Sequence, residues 1–496
     1  MDQGTPLAAI DLGSNSFRLE IGRFDHGQIH RVEYLKETVR LGGGLDESRN
    51  LTAAAMQQGW DCLARFGERL AGFDKAHIRA VATQTLREAR NRDAFLARAH
   101  QVLGCPIDVI SGREEARLIY QGVSHLLPQS DERRLVVDIG GRSTELVLGQ
   151  QFNARVTESY RVGSVAWSMR HFADGEFTAA AFERAQVAAQ AVLDDAVGRY
   201  GREHWDIAYG SSGTIGAVGD ILRVAGHAAI TREGLDWLMR QLVAARSADR
   251  VRLDGLKDDR RAVIGGGLAV LLALFDLLGI QAMQPAAGAL RHGVLYDLLD
   301  REDLGTDVRS ATVQRLATKF GVDMAQARRV GAVAAQLLQQ LRSGVDKPAA
   351  LARHQRELQW AATLHEIGSH ISHSDYHKHG AYILDHADAA GFAQPELHRL
   401  GLLVLGHRGK LRKLEADLGD DLLLLQLFCL RLAVILCHAR RDPDLAGLRL
   451  QSGPGPFRLS MRADWARAYP QSAHLLRDET TAWQKAPRAL VVTNSG

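Results

Sequence analysis

Between Asp138 and Glu145 the chain reads DIGGRSTE, flanked by the apolar runs Leu135–Val137 and Leu146–Leu148. Residues of these types can grip a phosphate. Gly140 and Gly141 lack a Cβ, so backbone N–H groups can close on phosphate oxygens, and Ser143 and Thr144 add hydroxyl donors. Asp138 and Glu145 would repel the same anion. Their chemistry is that of cation ligands, holding a divalent ion or its water shell against the phosphate. The apolar flanks have strand composition, so the element that positions these groups is expected to be a β-hairpin with the glycine-rich turn at its tip.

A second stretch, AIDLGSNSFRLEIG from Ala9 to Gly22, aligns without a gap on VVDIGGRSTELVLG. Asp11 falls on Asp138, Gly13 on Gly140, Ser16 on Ser143 and Gly22 on Gly149, all at one offset. Self-similarity at a single long offset means two copies of a supersecondary unit, and two such hairpins can face each other across a cleft. Ser14, Asn15 and Ser16 then supply donors from the first wall, and Asp11 joins the acids. A third turn, GSSGT, follows the strand-like Ile207–Tyr209 and opens a helix with Ser212, Gly213 and Thr214; small residues at a helix N-terminus form an anion site. Between the hairpins, SGREEARLIYQGV puts Glu114 and Glu115 in the first turn of a helix, where the helix dipole favours carboxylates. A phosphate pinned by loops still needs a base to orient and deprotonate water, and a carboxylate at the cleft edge can serve.

Together these segments resemble the exopolyphosphatase and guanosine pentaphosphate phosphohydrolase (Ppx/GppA) family, within the superfamily of actin, sugar kinases and heat-shock ATPases. The resemblance rests on DLGSNSFR, SGREEARLIYQGV, DIGGRSTEL and SSGT, joined by ATQTLREARN (Ala82–Asn91), GALRHGVLYDLL (Gly288–Leu299) and LHEIGSHISHSDYHKHGAYIL (Leu364–Leu384), the last found in the family's long members. It implies an α/β actin-like fold of two RNase H-like lobes, followed by an all-α HD-like domain and a small α+β C-terminal domain. It implies Glu115, the second of the acidic pair, as catalytic base, and Arg87 and Arg260 as phosphate contacts. Mg²⁺ at Asp138, Glu145 and Asp11 is the implied cofactor, with room for a monovalent cation such as K⁺, and a homodimer is the implied assembly. One position departs from the pattern. The family turn is usually DIGGGST, and here Arg142 replaces the third glycine, where an arginine can add a donor for phosphate.

The chain of 496 residues predicts three or four domains. Boundaries are expected at 1–124 for the first lobe, 125–304 for the second, 305–445 for the HD-like domain and 446–496 for the terminal one. Within them, Thr52–Leu70 reads as a helix capped by Thr52, residues 83–104 and 178–200 as further helices, and Asp258–Gly279 as a buried helix. A formal net charge of +3 gives no ground for nucleic-acid binding. Four scattered cysteines, Cys62, Cys105, Cys429 and Cys437, form no CxxC pair and fit a reducing cytoplasm. No basic segment followed by an apolar run opens the chain, and the longest uncharged apolar run, Ala262–Phe275, is too short to cross a bilayer. A cytoplasmic location without a transmembrane segment is expected, with peripheral membrane association left open.

His365, His370, His373, His377, His379 and His386 crowd into one stretch. An HD metal site needs a histidine on an earlier helix, an adjacent His-Asp pair and a later aspartate. Here the pair is His365-Glu366 and neither flank supplies its ligand, so these histidines read as helix caps and polar surface. Further on, HRGKLRK (His407–Lys413) gathers Arg408, Lys410, Arg412 and Lys413, with Lys378 as a potential neighbour. The cluster is either a solvated loop or a basic track for polyphosphate.

The leading expectation is an exopolyphosphatase that processively removes the terminal phosphate of inorganic polyphosphate. The alternative is 5′-phosphate hydrolysis of guanosine pentaphosphate (pppGpp), which the resemblance does not separate from the first. A kinase of the same superfold and a non-catalytic polyphosphate or nucleotide sensor are more distant. No recognisable sugar-binding insertion is present, which argues against the kinase, and retention of Asp11, Glu115, Asp138 and Glu145 argues against the sensor.

Overall fold

A computed structural model of the chain describes residues 4–25, 28–128, 130–302, 307–343, 345–387, 389–452 and 455–495. They form two compact units, residues 1–307 and 308–496. The expected boundary at 304/305 falls at residues 303–306, outside the described ones.

The sequence repeat reappears in the first unit as topology. One sheet holds β1 (Pro6–Leu12), β2 (Phe17–Asp25), β3 (Gln28–Glu37), β4 (Ile78–Ala82) and β5 (Ile107–Val109) in the order β3-β2-β1-β4-β5. The other holds β6 (Arg133–Ile139), β7 (Thr144–Gln150), β8 (Asn153–Tyr160), β9 (Ile207–Ser211), β10 (Ile230–Thr231) and β11 (Ala282–Pro285) in the order β10-β11-β9-β6-β7-β8. In each, an antiparallel hairpin is extended by a third strand, and its first strand pairs in parallel with one that arrives after a helix. Asp11 pairs in register with Arg18, and Asp138 with Glu145, at the mouths of the two hairpin turns. This is the actin-like arrangement of two RNase H-like lobes.

Helices α1 (Ala53–Arg69), α2 (Gln84–Glu88), α3 (Arg92–Leu103) and α4 (Gly112–Ser124) accompany the first sheet in sequence. Thr52 caps α1, its hydroxyl accepting from the Ala55 N–H. The helical run expected over 83–104 is broken between α2 and α3. The Asn91 amide bonds both backbone groups of Leu51, at 2.8 and 3.0 Å, and pulls the chain out of helical register there. Helices α5 (Ser164–His171), α6 (Ala179–Leu193), α7 (Val197–Tyr200), α8 (Ser212–Val224), α9 (Arg232–Ala245), α10 (Ile264–Leu278) and α11 (Leu290–Glu302) follow. The helix expected over 178–200 is likewise interrupted, by a 3₁₀ turn at Asp194–Ala196. The stretch Asp258–Leu278 is long and apolar enough to cross a membrane by length and composition, but most of it is buried in the lobe, where α10 forms core.

Two helices are exchanged between the lobes. Helix α4 packs on β7 and β8 of the second sheet, α11 packs on β1, β2 and β4 of the first, and the two pack on each other. Their approach is close enough to require glycine: a Cβ on Gly293 would lie 1.7 Å from the Leu118 carbonyl oxygen, and one on Gly122 would lie 2.3 Å from that of Ala289.

The second unit begins with α12 (Val308–Lys319), α13 (Met324–Arg342), α14 (Pro348–Leu364), α15 (Tyr376–His386), α16 (Gln394–Gly406) and α17 (Asp421–Leu436). A sheet of β12 (Leu448–Gln451), β13 (Phe457–Arg462) and β14 (Leu490–Ser495) follows, with α18 (Ala463–Ala468) and α19 (Pro470–Trp483) between its last two strands. Helices and sheet share one core, in which the Phe428 and Phe457 rings stack at 4.1 Å.

Candidate active site

All three glycine and hydroxyl turns open onto one cleft of about 380 Å³ between the lobes of the first unit. Its wall includes Ser14, Asn15 and Ser16 from the β1–β2 turn, Gly140, Gly141 and Ser143 from the β6–β7 turn, and Ser212, Gly213 and Thr214 from the start of α8. The first two turns nearly touch, since a Cβ on Gly141 would stand 3.2 Å from that of Ser14. The third is held in a strained shape. Ser212 has φ of 82°, a left-handed backbone that costs a residue with a side chain about 1–3 kcal/mol, and its hydroxyl donates to the Ile139 carbonyl at 2.8 Å. Arg260 lies so close over Gly213 that a Cβ there would be 2.1 Å from the guanidinium.

Four buried acids share this region. Asp11 pairs with Arg18 at 2.9 Å, Glu115 accepts from Arg87 at 2.8 Å, and Glu145 accepts from the Ser159 hydroxyl at 2.7 Å. Helix α4 places Glu115 in its first turn because Ser111 caps it, accepting from the Glu114 N–H at 3.1 Å. Burial pushes the Asp138 carboxyl up to about 7; the Ser211 hydroxyl and Arg18 pull it down, while Glu115 and Asp11 push it further up. Glu145 is raised well above the usual range by burial and then by Glu115 and Asp138. Glu115 is raised by burial against the opposing pull of Arg87. Carboxylates that retain protons because too little positive charge faces them are the groups a divalent ion would relieve. Among the described residues no three His, Cys, Asp or Glu side chains converge as a metal cage would. The raised carboxyls fit Mg²⁺, which binds through one or two carboxylates and otherwise through water and substrate phosphates.

The family model described as the Ppx/GppA phosphatase family matches residues 21–302, and that of Ppx/GppA phosphatase domain III matches residues 308–480. The chain belongs to the Ppx/GppA phosphatase family. A Vibrio cholerae relative named guanosine-5′-triphosphate,3′-diphosphate pyrophosphatase is 39% identical over 478 residues, 94% of each chain. A Pseudoalteromonas translucida relative of the same name is 38% identical over 496 residues, 99% of each chain. Among solved structures, an exopolyphosphatase-like protein is 25% identical with a TM-score of 0.55, covering 60% of this chain and 98% of its own. The Aquifex aeolicus PPX-GPPA enzyme gives 24% and 0.50, covering 59% and 98%. The chain is thus a phosphoanhydride hydrolase of the Ppx/GppA family.

Several residues that the Ppx/GppA resemblance or the turn chemistry nominated for phosphate or for the metal face elsewhere. Arg142 binds Glu88 at 3.0 Å and the Gly42 carbonyl at 3.1 Å, so its guanidinium joins the second turn to the first lobe instead of lining the cleft. The Thr144 hydroxyl is spent on the Val162 carbonyl. Arg87 is absent from the cleft wall as well; it bonds Gln84, the Ile110 carbonyl and Glu115, which makes it the orienting partner of that acid. Glu145 sits behind the wall, at Ser159. Arg18, Lys36, Lys257 and Arg291 line the cleft and were not singled out from the sequence. Arg18 had a signal, for it is the repeat's counterpart of Glu145, a charge reversal inside an otherwise matched pair of hairpins. The lysines had none.

In the second unit, Arg408 stacks 4.8 Å over the Tyr376 ring and Lys413 donates to the Arg408 carbonyl at 2.8 Å. Lys378 pairs with Asp375 at 3.0 Å, and Lys410 and Arg412 are exposed. Burial lowers the Lys413 ammonium to about 8. His365 and His377 are buried, not surface residues, because their rings pack edge-on against His407.

Proposed function

We propose that this phosphatase cleaves the terminal 5′-phosphoanhydride of guanosine 5′-triphosphate 3′-diphosphate and releases orthophosphate. Relatives named for that compound, at 38–39% identity along nearly the whole chain, support this over inorganic polyphosphate, the leading expectation from the sequence. The observation that carries the chemistry is that Glu115 opens onto the same cleft as the three turns. In the proposed reaction a water oxygen bonds to the terminal phosphorus while the bridging P–O bond to the next phosphate breaks. Glu115 takes a proton from that water, and Arg87 holds the carboxylate in place. Donors of Ser14, Asn15, Ser16, Gly141 and Ser143 face those of Gly213 and Thr214, with the Ser212 N–H and Arg260, around the phosphoryl oxygens, while the Gly140 N–H is spent on the Ser143 carbonyl at 2.9 Å and the Ser212 hydroxyl on that of Ile139. Mg²⁺, held at Asp138 and Asp11 on the cleft wall with Glu145 behind it, would supply charge screening for the phosphates.

Glu115→Gln is expected to lower kcat by roughly 100–10,000-fold with KM near wild type, since a lost base acts on the chemical step. Phosphate release from pentaphosphate, long polyphosphate and ATP, measured side by side, tests both parts. Wild-type activity in Glu115→Gln would dismiss the base, and faster turnover of polyphosphate than of pentaphosphate would restore the polyphosphate reading.

A further inference from the structure

A nucleoside with phosphates on both its 5′ and 3′ positions needs two anion sites, and the three turns account for one. Resting on the function proposed above, the second must lie elsewhere on the same cleft. Its wall carries four cations outside the turns and Arg260: Arg18, Lys36, Lys257 and Arg291. Arg18 is held by Asp11, and Arg291 is paired with Glu20 and stacked 4.8 Å from the Tyr34 ring. The lysines are placed differently. Lys36 extends from β3 of the first lobe to Asp259 of the second, at 2.9 Å, with both side chains about one-third exposed (29% and 32%). Lys257, exposed, stands two residues before Asp259 and forms no ion pair among the described residues. The Asp259 carboxyl is held below the usual range by its hydrogen bond from Lys36, against the opposing effect of burial, with Arg260 and Lys257 adding to the pull. One carboxylate therefore faces three cations, and the spot stays positive. A half-exposed ion pair is worth little, about 0–1 kcal/mol, whereas a diphosphate offers several charged oxygens to the same donors.

We propose that Lys36 and Lys257 form a second anion site at the cleft mouth, which takes the 3′-diphosphate of the nucleotide in place of the Asp259 carboxylate. The site would tell a 3′-phosphorylated nucleotide from an ordinary one, while the turns handle the reacting phosphate common to both.

Calorimetric binding of guanosine 5′-diphosphate 3′-diphosphate and of plain guanosine 5′-diphosphate to the full-length protein, at one fixed salt concentration, tests it. Wild type is expected to favour the first by about tenfold or more, the scale of a charge-assisted hydrogen bond. The Lys36→Ala, Lys257→Ala double variant should bring that ratio close to one. Asp259→Asn, which removes the competing carboxylate, should raise it severalfold. Equal affinities in wild type, an unchanged ratio in the double variant, or a lowered ratio in Asp259→Asn would each overturn the site. Thermal melts of every variant identify misfolding, and because the readout is a ratio within one protein, partial loss of folded material does not alter it. Pentaphosphate turnover separates the two proposals. No turnover with the binding ratio intact removes the function and leaves the site; turnover with no ratio does the reverse.

Discussion

Asp138 keeps its proton up to about pH 7 because it is buried beside other acids. Its folded pKa thus lies above the unfolded value, so the folded chain binds the proton more tightly, and stability is lost as pH rises from the unfolded value to about 7 and stays lost above it. Each unit of separation corresponds to about 1.4 kcal/mol. Asp138→Asn carries no such penalty. In thermal melts without divalent metal, its advantage over wild type is expected to open between about pH 4 and pH 7 and then level off, and added Mg²⁺ should narrow it by favouring the ionised carboxylate. An advantage that does not change with pH would show that Asp138 does not titrate in this range. The acids and turns of this site were legible in the sequence because a phosphate grip needs small residues, hydroxyls and carboxylates in a short local order. The direction taken by Arg142 was not, since it is set by Glu88 and Gly42, which lie far away in sequence and close in space. The bond made by the Thr144 hydroxyl was hidden for the same reason, its partner Val162 lying on the far side of β8 in sequence.

At the scale of elements, the hairpins could be read because alternation, glycine position and the repeat all point the same way. The breaks and exchanges of helices could not. The gap between α2 and α3 depends on a contact with Leu51, and the crossing of α4 and α11 depends on glycine spacing that only the folded pair makes meaningful. That crossing is fastened by charge. Asp297 of α11, almost fully buried, accepts from Arg79 of β4, Arg117 of α4 and Arg301 of α11, and Arg117 also holds Glu114 at 2.8 Å. Burial alone would raise the Asp297 carboxyl, but Arg117, Arg79 and Arg301 keep it far below the usual range. Glu114 precedes Glu115 on the same turn, so this network bears on where the proposed base stands. Asp297→Ala leaves three guanidiniums without their shared acid, and removing one partner of a buried pair costs about 3–5 kcal/mol. A lower melting temperature is expected, together with a fall in kcat of about tenfold or more at temperatures where the variant remains folded, and little change in KM. Full kcat in the folded variant would separate the network from catalysis.

On the scale of the whole molecule, the second unit has its own core and carries the cluster of Arg408, Lys410, Arg412 and Lys413. Its composition suggested a track for a polyanion, and the half-buried Lys413, tied to the Arg408 backbone, gives the cluster a fixed part. Replacing Lys410, Arg412 and Lys413 with Ala is expected to weaken binding of long polyphosphate by about tenfold at low salt and to flatten its salt dependence, as fewer counterions are released. Pentaphosphate turnover should barely change. An equal loss for both substrates would point to damaged folding, and no loss for either would return the cluster to a solvated loop.

The exchange of helices also fixes an order of events while the protein is being made. The last of the three strands that α11 covers ends at Ala82, and α11 itself starts at Leu290. At synthesis rates of roughly 5–20 residues per second, the cover emerges roughly 10–40 s after the surface it is meant to close. For that interval the nascent first lobe presents one apolar face of its sheet to the outside of the ribosome. Messages cut short before α11 would yield chains that keep this face open, which makes them substrates for chaperones and proteases and not small working phosphatases.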